Sequence, residues 1–316
     1  MQNDNIDLKQ SSMTEDVDLK ELISIIWSRR LFVFIVTSSF SVLAIAFALY
    51  LPNIYKSEAL IAPAESEDVS GLAGLAGQLG GVASLAGINL SGQSGKVNKI
   101  DFALAVIQSK KFARSFFERH NILPELMAVK GWKENELEYD EALFNSSTGE
   151  WVLRDGQTKK PTFQSAFITF RKAISISKVS DSGMYTISIE HLSPYIAQKW
   201  VIWVVEDINE EMRKLDVDEA TKSKAFLRDQ IEKTSVMDIR KVLFNLIEEQ
   251  TKTTMFAEIR DEYIFQTVDP ALVPEKKVSP HRLLICILGF LLGLFSSIIA
   301  ITVKFYFRNR KECITS

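Results

Sequence analysis

LFVFIVTSSFSVLAIAFALYL, residues 31–51, and LLICILGFLLGLFSSIIAITV, residues 283–303, decide the class of this chain. Each stretch is 21 residues long and carries no charge. At a rise of about 1.5 Å per residue, each just crosses the roughly 30 Å hydrocarbon core as a helix. Between them lie the 231 mostly polar residues 52–282, and outside them residues 1–30 and 304–316. The pattern predicts a membrane-anchored hairpin that carries one domain on one side of a bilayer.

A signal peptide is the competing reading of residues 31–51, and Ala46-Phe47-Ala48 resembles a small-residue cleavage site. The preceding 30 residues hold six acidic and four basic side chains, whereas signal peptides have a short basic leader and a shorter apolar region. A retained helix is expected. Arg29 and Arg30 precede the first span, and Lys304, Arg308, Arg310 and Lys311 follow the second. Positive flanks stay in the cytoplasm, so both tails are expected there and residues 52–282 outside. Lys276, Lys277 and Arg282 oppose this at the second span; only Lys56 opposes it near the first.

The cysteines are Cys286, within the second span, and Cys313, in the tail. The large domain therefore has no disulfide framework. A net charge of -3 and dispersed basic residues give no reason to expect nucleic acid.

Residues 54–61 (IYKSEALI) read as a strand leaving the membrane. Residues 71–95 (GLAGLAGQLGGVASLAGINLSGQSG) hold eight of the 14 glycines, yet Leu72, Leu75, Leu79, Leu85 and Leu90 keep the segment apolar. It reads either as a mobile loop or as one that orders against a partner or the membrane surface. Residues 101–119 have helical periodicity, with Asp101 as the cap. Residues 131–162 read as a polar excursion. Residues 173–179 and 184–191 alternate and are joined by Ser180-Asp181-Ser182-Gly183, which predicts a half-buried hairpin.

From residue 195 to 269 there is neither glycine nor proline. Ser193-Pro194 matches a helix start. Val201, Val205, Ile208, Met212 and Leu215 step as one seam, and Val236, Ile239, Leu243 and Leu246 as another. A single helix over 194–234 would span about 60 Å and project from the domain; two or three shorter helices in a bundle are the competing reading. Residues 263–268 (YIFQTV) are expected to return as a strand beside the first. The fold class is thus α+β. A membrane-proximal α/β part (54–193 and 263–282) carries long helices (194–262), within a periplasmic domain (52–282) held by spans 31–51 and 283–303.

No catalytic constellation is visible. His120, His191 and His281 lack metal-ligand spacing, and neither a GxxxxGK[ST] loop nor a GxSxG elbow is present. No cofactor or metal site is expected. Glu248/Glu249 and Asp261/Glu262 read as solvated faces. Trp132, Trp151, Trp200 and Trp203 could stack on sugars, although core or subunit packing is the expected use of the last two. Thirteen residues follow Val303, so no cytoplasmic output domain is expected.

The stretch 268–282, VDPALVPEKKVSPHR, leads into a span with Gly289 and Gly293. It resembles the proline-rich motif of polysaccharide co-polymerases, and most closely the O-antigen chain-length determinant (Wzz-type) branch. Val17-Asp18-Leu19-Lys20-Glu21-Leu22 and Tyr55-Lys56-Ser57-Glu58-Ala59 are similar to that family as well. The segment 71–95 is longer and more apolar than the family requires. The resemblance implies a non-enzymatic scaffold of the bacterial inner membrane. It implies a ring-like homo-oligomer, an O-antigen polymerase as partner, and contact with the growing lipid-linked polysaccharide. The physical reading of the motif stands beside this. Pro270, Pro274 and Pro280 stiffen a non-helical connector, and Pro280 with Arg282 marks where the membrane helix begins. Gly289 and Gly293 form a small-xxx-small face, or else reflect ordinary membrane-helix composition. A periplasmic sensor or an adaptor subunit of an exopolysaccharide export system is the alternative from another class; a glycan-acting enzyme is the third.

Overall fold

A computed structural model describes Trp27 and residues 29–64, 98–154, 157–180 and 182–315, without the side chains of residues 154, 157 and 305–315. The motif at 17–22, the glycine-rich segment 71–95, Asp181 and the side chain of Cys313 lie outside the described residues. The chain divides into two units, Met1–Leu51 with Pro280–Ser316, and Pro52–Ser279.

The first unit contains α1 (Arg30–Tyr50), which is paired here with the last helix of the chain, Arg282–Thr315. Of their most apolar windows, only 11% and 17% is buried, so neither is enclosed in a core among the described residues. Both are long and apolar enough to cross a membrane, over Arg30–Tyr50 and Arg282–Lys304.

The second unit is mixed helix and sheet. Its elements are β1 (Tyr55–Pro63), α2 (Lys99–Ile107), α3 (Lys110–His120), α4 (Leu123–Met127), β2 (Val129–Lys133) and β3 (Glu136–Tyr139). Four two-residue strands and a helix follow: β4 (Phe144–Asn145), β5 (Glu150–Trp151), β6 (Leu153–Arg154), β7 (Gln157–Thr158) and α5 (Phe163–Ala173). The chain continues through β8 (Ile174–Lys178), β9 (Tyr185–His191), α6 (Pro194–Lys233), α7 (Met237–Ile259) and β10 (Phe265–Asp269), before α8 (Arg282–Thr315) of the first unit.

The main sheet runs β10-β1-β9-β8, antiparallel throughout. The first strand and the return strand are neighbours, with Ile61 opposite Thr267 and Pro63 opposite Phe265. The hairpin of β8 and β9 pairs Ile174 with Ile189 and Ile176 with Ile187. Gly183 sits in its turn at φ 69°, where a glycine is favoured. The polar excursion is ordered as small hairpins, β2 with β3, β4 with β5 and β6 with β7.

Residues 101–119 are two helices rather than one. Ser109 interrupts them and caps α3, its side chain accepting from the Phe112 amide at 3.1 Å. Asn98, not Asp101, caps α2, accepting from Ile100 at 3.2 Å. Asp101 lies in the first turn, where a carboxylate complements the helix dipole.

α6 is a single helix of 40 residues, about 60 Å long. Its first half buries Trp200, Val201, Val204, Ile208 and Met212 in the core with Ile61, Phe116, Phe170, Ile187, Ile189 and Phe265. Its second half packs with α7 as a hairpin, burying Ala220, Ile231 and Ala257. Pairs such as Asp218–Lys222 and Asp229–Lys233, both 2.6 Å, line the solvent side, where each adds a few tenths of a kcal/mol, ~0.3–0.5. Of the seam expected on α7, Leu243 and Leu246 are half-buried but Val236 and Ile239 are about half exposed, 52% and 49%, and Ala257 is the one fully buried residue of that helix.

Candidate functional site

Two places hold the residues singled out from the sequence, one in each unit. In the second unit the proline connector lies against the start of the sheet. The buried Ser57 of β1 donates its hydroxyl to the Leu272 carbonyl at 2.7 Å. Gln198 of α6 donates to the Ala271 carbonyl at 2.9 Å, and Ala271 is itself buried. The backbone of Ile54 then bridges to Ser279, with Ile54 N to Ser279 O and Val278 N to Ile54 O both at 2.9 Å. Lys277 reaches the Asn53 side chain at 3.1 Å. Pro270 and Pro274 flank the carbonyls that Ser57 and Gln198 engage. A proline-fixed backbone has few conformations, so these few hydrogen bonds suffice to fix its path.

Polar groups missed from the sequence tie the helices to this sheet. Asn209 of α6 is buried and fully used. Its Oδ1 accepts from the Ile264 and Phe265 amides at 2.8 and 2.9 Å, and its Nδ2 donates to Val205 and Phe265 carbonyls at 3.1 and 3.0 Å. Asp207, also buried, takes Arg119 at 2.5 Å and His120 at 3.1 Å, which locks α3 to α6. Trp203 packs against the His120 ring, stacked at 4.0 Å, and the Lys199 ammonium lies over it at 4.4 Å. It is partly buried against the core, which is the packing use rather than a sugar platform. Trp200 is buried and donates to Glu125 at 3.1 Å.

His191 ends β9. Its Nε2 lies 3.0 Å from the Glu125 carbonyl, and its Nδ1 accepts from the Ser193 amide at 3.0 Å. These partners select the neutral tautomer with the proton on Nε2. Burial lowers its pKa below the ordinary 6.5.

In the first unit Gly289 and Gly293 face α1. A Cβ built on Gly289 would lie 2.3 Å from the Ala44 Cβ. One on Gly293 would lie 2.8 Å from the Phe40 Cβ and 3.0 Å from the Thr37 Cα. The two glycines are therefore where the helices approach closely, and Thr37 and Ser297 are buried in the same unit. Arg282 begins α8, its amide donating to the Pro280 carbonyl at 2.9 Å. Among the described residues no group of three or more His, Cys, Asp or Glu side chains could hold a metal ion.

Comparison with known proteins finds a family match over one part of the chain. Residues 15–118 match the profile described as "Wzz: Chain length determinant protein". A search of curated proteins finds no match. Among solved structures, the chain is similar to a "full-length bacterial polysaccharide co-polymerase" at 13% identity and TM-score 0.39, covering 92% of this chain and 99% of that one. It is also similar to a fragment of WzzB, a polysaccharide co-polymerase from Salmonella Typhimurium, at 14% identity and TM-score 0.27, covering 72% of this chain and all (100%) of that one. The motifs at residues 17–22 and 55–59 lie inside the matched stretch; the proline motif at 268–282 lies outside it. Over residues 15–118, about a third of its length, the chain is similar to the Wzz chain length determinant family.

Proposed function

We propose that this chain is an inner-membrane polysaccharide co-polymerase that regulates the modal chain length of O-antigen. It acts without catalysis, as an oligomeric scaffold for the O-antigen polymerase. The spans at 31–51 and 283–303 cross the inner membrane, both tails are cytoplasmic, and residues 52–282 are periplasmic. The observation that carries this reading is the chain length determinant match over residues 15–118, which includes the first span.

The helical hairpin supports the scaffold part. Met237, Ile239, Val242, Phe244, Met255 and Ile259 of α7 are each at least 42% exposed. By helical spacing Met237, Phe244, Met255 and Ile259 share one side and Ile239 and Val242 the opposite one, so α7 presents apolar groups on two sides, which favours contact with neighbouring subunits over solvent. Ile239→Glu with Phe244→Glu tests it. Both side chains are exposed, so the fold is expected to survive. The oligomer should fall apart on a native gel, and the preferred glycan length should be lost with it. A variant that stays oligomeric and keeps that length would remove α7 from the mechanism.

A further inference from the structure

A cleft of about 360 Å³ opens between the C-terminal half of α3 and the loop leading into α5. Arg114, Phe117, Glu118, Asn121, Lys160 and Phe163 are in its lining. Its parts are held in place. Phe163 starts α5, whose first turn is capped by Thr162 accepting from the Ser165 amide at 3.3 Å. The Lys160 amide is tied to Thr158 Oγ1 at 3.2 Å. Asn121 turns the chain after α3 in a left-handed conformation, φ 48°.

The Arg114 guanidinium lies over the Phe163 ring, 4.5 Å from its centroid. Stacking of this kind leaves the N–H edge of the guanidinium free to meet a planar anion in bidentate fashion. Among the described residues, neither Arg114 nor Lys160 is in an ion pair, and Glu118 is in none either. Some cations of the same unit are matched, Lys111 by Glu211, Arg119 by Asp207 and Lys130 by Asp140, while others outside the cleft, such as Lys110 and Arg171, are in no ion pair among the described residues. Arg114 and Glu118, one turn apart on α3, thus share with Lys160 the lining of a cleft whose volume is in the range of small-molecule sites, roughly 300–1,000 Å³.

We propose that this cleft is a glycan subsite for an anionic sugar of the uronic acid type. The sugar carboxylate sits between Arg114 and Lys160, and its hydroxyls face Glu118 and the Asn121 amide. Glu118 disfavours a bare anion and accepts from hydroxyls, which selects an acidic sugar over a simple salt. The subsite rests on the polysaccharide reading above.

The test is calorimetric titration of the full chain in lipid nanodiscs. The probes are a glucuronate tetrasaccharide, a neutral glucose tetrasaccharide and inorganic phosphate. The glucuronate probe should bind and the neutral one should not. Arg114→Gln with Lys160→Gln should weaken binding on the order of tenfold or more, as expected for lost charge-assisted hydrogen bonds. Lys222→Gln, on α6, should leave it unchanged, and both variants should melt with the wild type. Phe163→Leu keeps both charges but frees the guanidinium, and should weaken binding by a smaller factor. No binding of glucuronate, equal binding of the neutral probe, or an unaffected double variant would each overturn the subsite. So would displacement of the tetrasaccharide by equimolar phosphate, which would mark an adventitious anion site only. A glycan gel of cells lacking the gene keeps the two readings apart. If deletion removes the preferred length while glucuronate does not bind, the subsite alone fails. If deletion changes nothing, the chain-length reading fails whatever the titration gives.

Discussion

Ser57 on β1 donates its hydroxyl to the carbonyl of Leu272 at 2.7 Å, across 215 residues of sequence. The bond joins the beginning of the second unit to its end, between Pro270 and Pro274. Ser57→Ala leaves that carbonyl without its side-chain donor beside a buried strand. A loss of about 1–3 kcal/mol is expected. Urea unfolding of the full chain in detergent, followed by Trp fluorescence, reads it. A midpoint equal to wild type would show that the connector is held by other contacts alone.

Asn209 is the stronger tie. Replacement by Leu strands the Ile264 and Phe265 amides and the Phe265 carbonyl, and should cost about 3 kcal/mol or more. Asn209→Asp keeps the acceptor for both amides but turns an oxygen toward the Val205 and Phe265 carbonyls, so it should also destabilise. The same unfolding experiment compares the two. A tolerated Leu would mean that β10 is held by its pairing with β1.

His191 makes stability depend on pH. Its folded pKa is depressed below 6.5 by burial, so below pH 6.5 the unfolded chain binds the proton more readily than the folded one. The stabilisation is therefore fully present above pH 6.5 and falls as pH drops from there toward the folded value. Thermal midpoints measured from pH 8 to pH 5 should decline for wild type. The decline should be shallower for His191→Gln, which has no proton to take up. Parallel curves would assign the decline to other groups.

Much of this architecture is legible in the chain. The two charge-free runs, the alternation around Gly183 and the Gly- and Pro-free stretch after Pro194 are local signals, and each corresponds to an element: α1 and α8, the β8–β9 hairpin, and the 40-residue α6. Where local signals compete, the sequence is less clear. The apolar periodicity of residues 101–119 hides the break at Ser109, because the apolar positions on either side still look continuous. The α7 seam is readable as apolar, but the exposure of Val236 and Ile239 is not, since a pattern does not say what covers it. Asn209, Asp207 and Ser57 are single polar residues without a motif. Their partners lie 56, 88 and 215 positions away, so only the fold brings them together. The connector prolines and the two glycines were legible as a motif; that the glycines meet Ala44, Phe40 and Thr37 was not.

The close approach at Gly289 gives a compensating pair. Gly289→Ala places a methyl 2.3 Å from the Ala44 Cβ, so the helices must separate. Ala44→Gly removes that methyl and should restore the approach. Glycan length distribution should shift in Gly289→Ala and return toward wild type in the double variant. Gly289→Leu with Gly293→Leu should shift it further, with the circular dichroism of the Pro52–Ser279 unit unchanged. Normal lengths at normal expression in the Leu pair would remove these glycines from the mechanism.

The most direct measurement is a polysaccharide gel of surface glycan from cells with the gene, without it, and with it restored in single copy. A chain-length regulator predicts that polymer is still made without the gene, that its modal cluster of lengths disappears, and that the cluster returns on complementation. An unchanged ladder in the deleted strain would contradict regulation of O-antigen length by this chain.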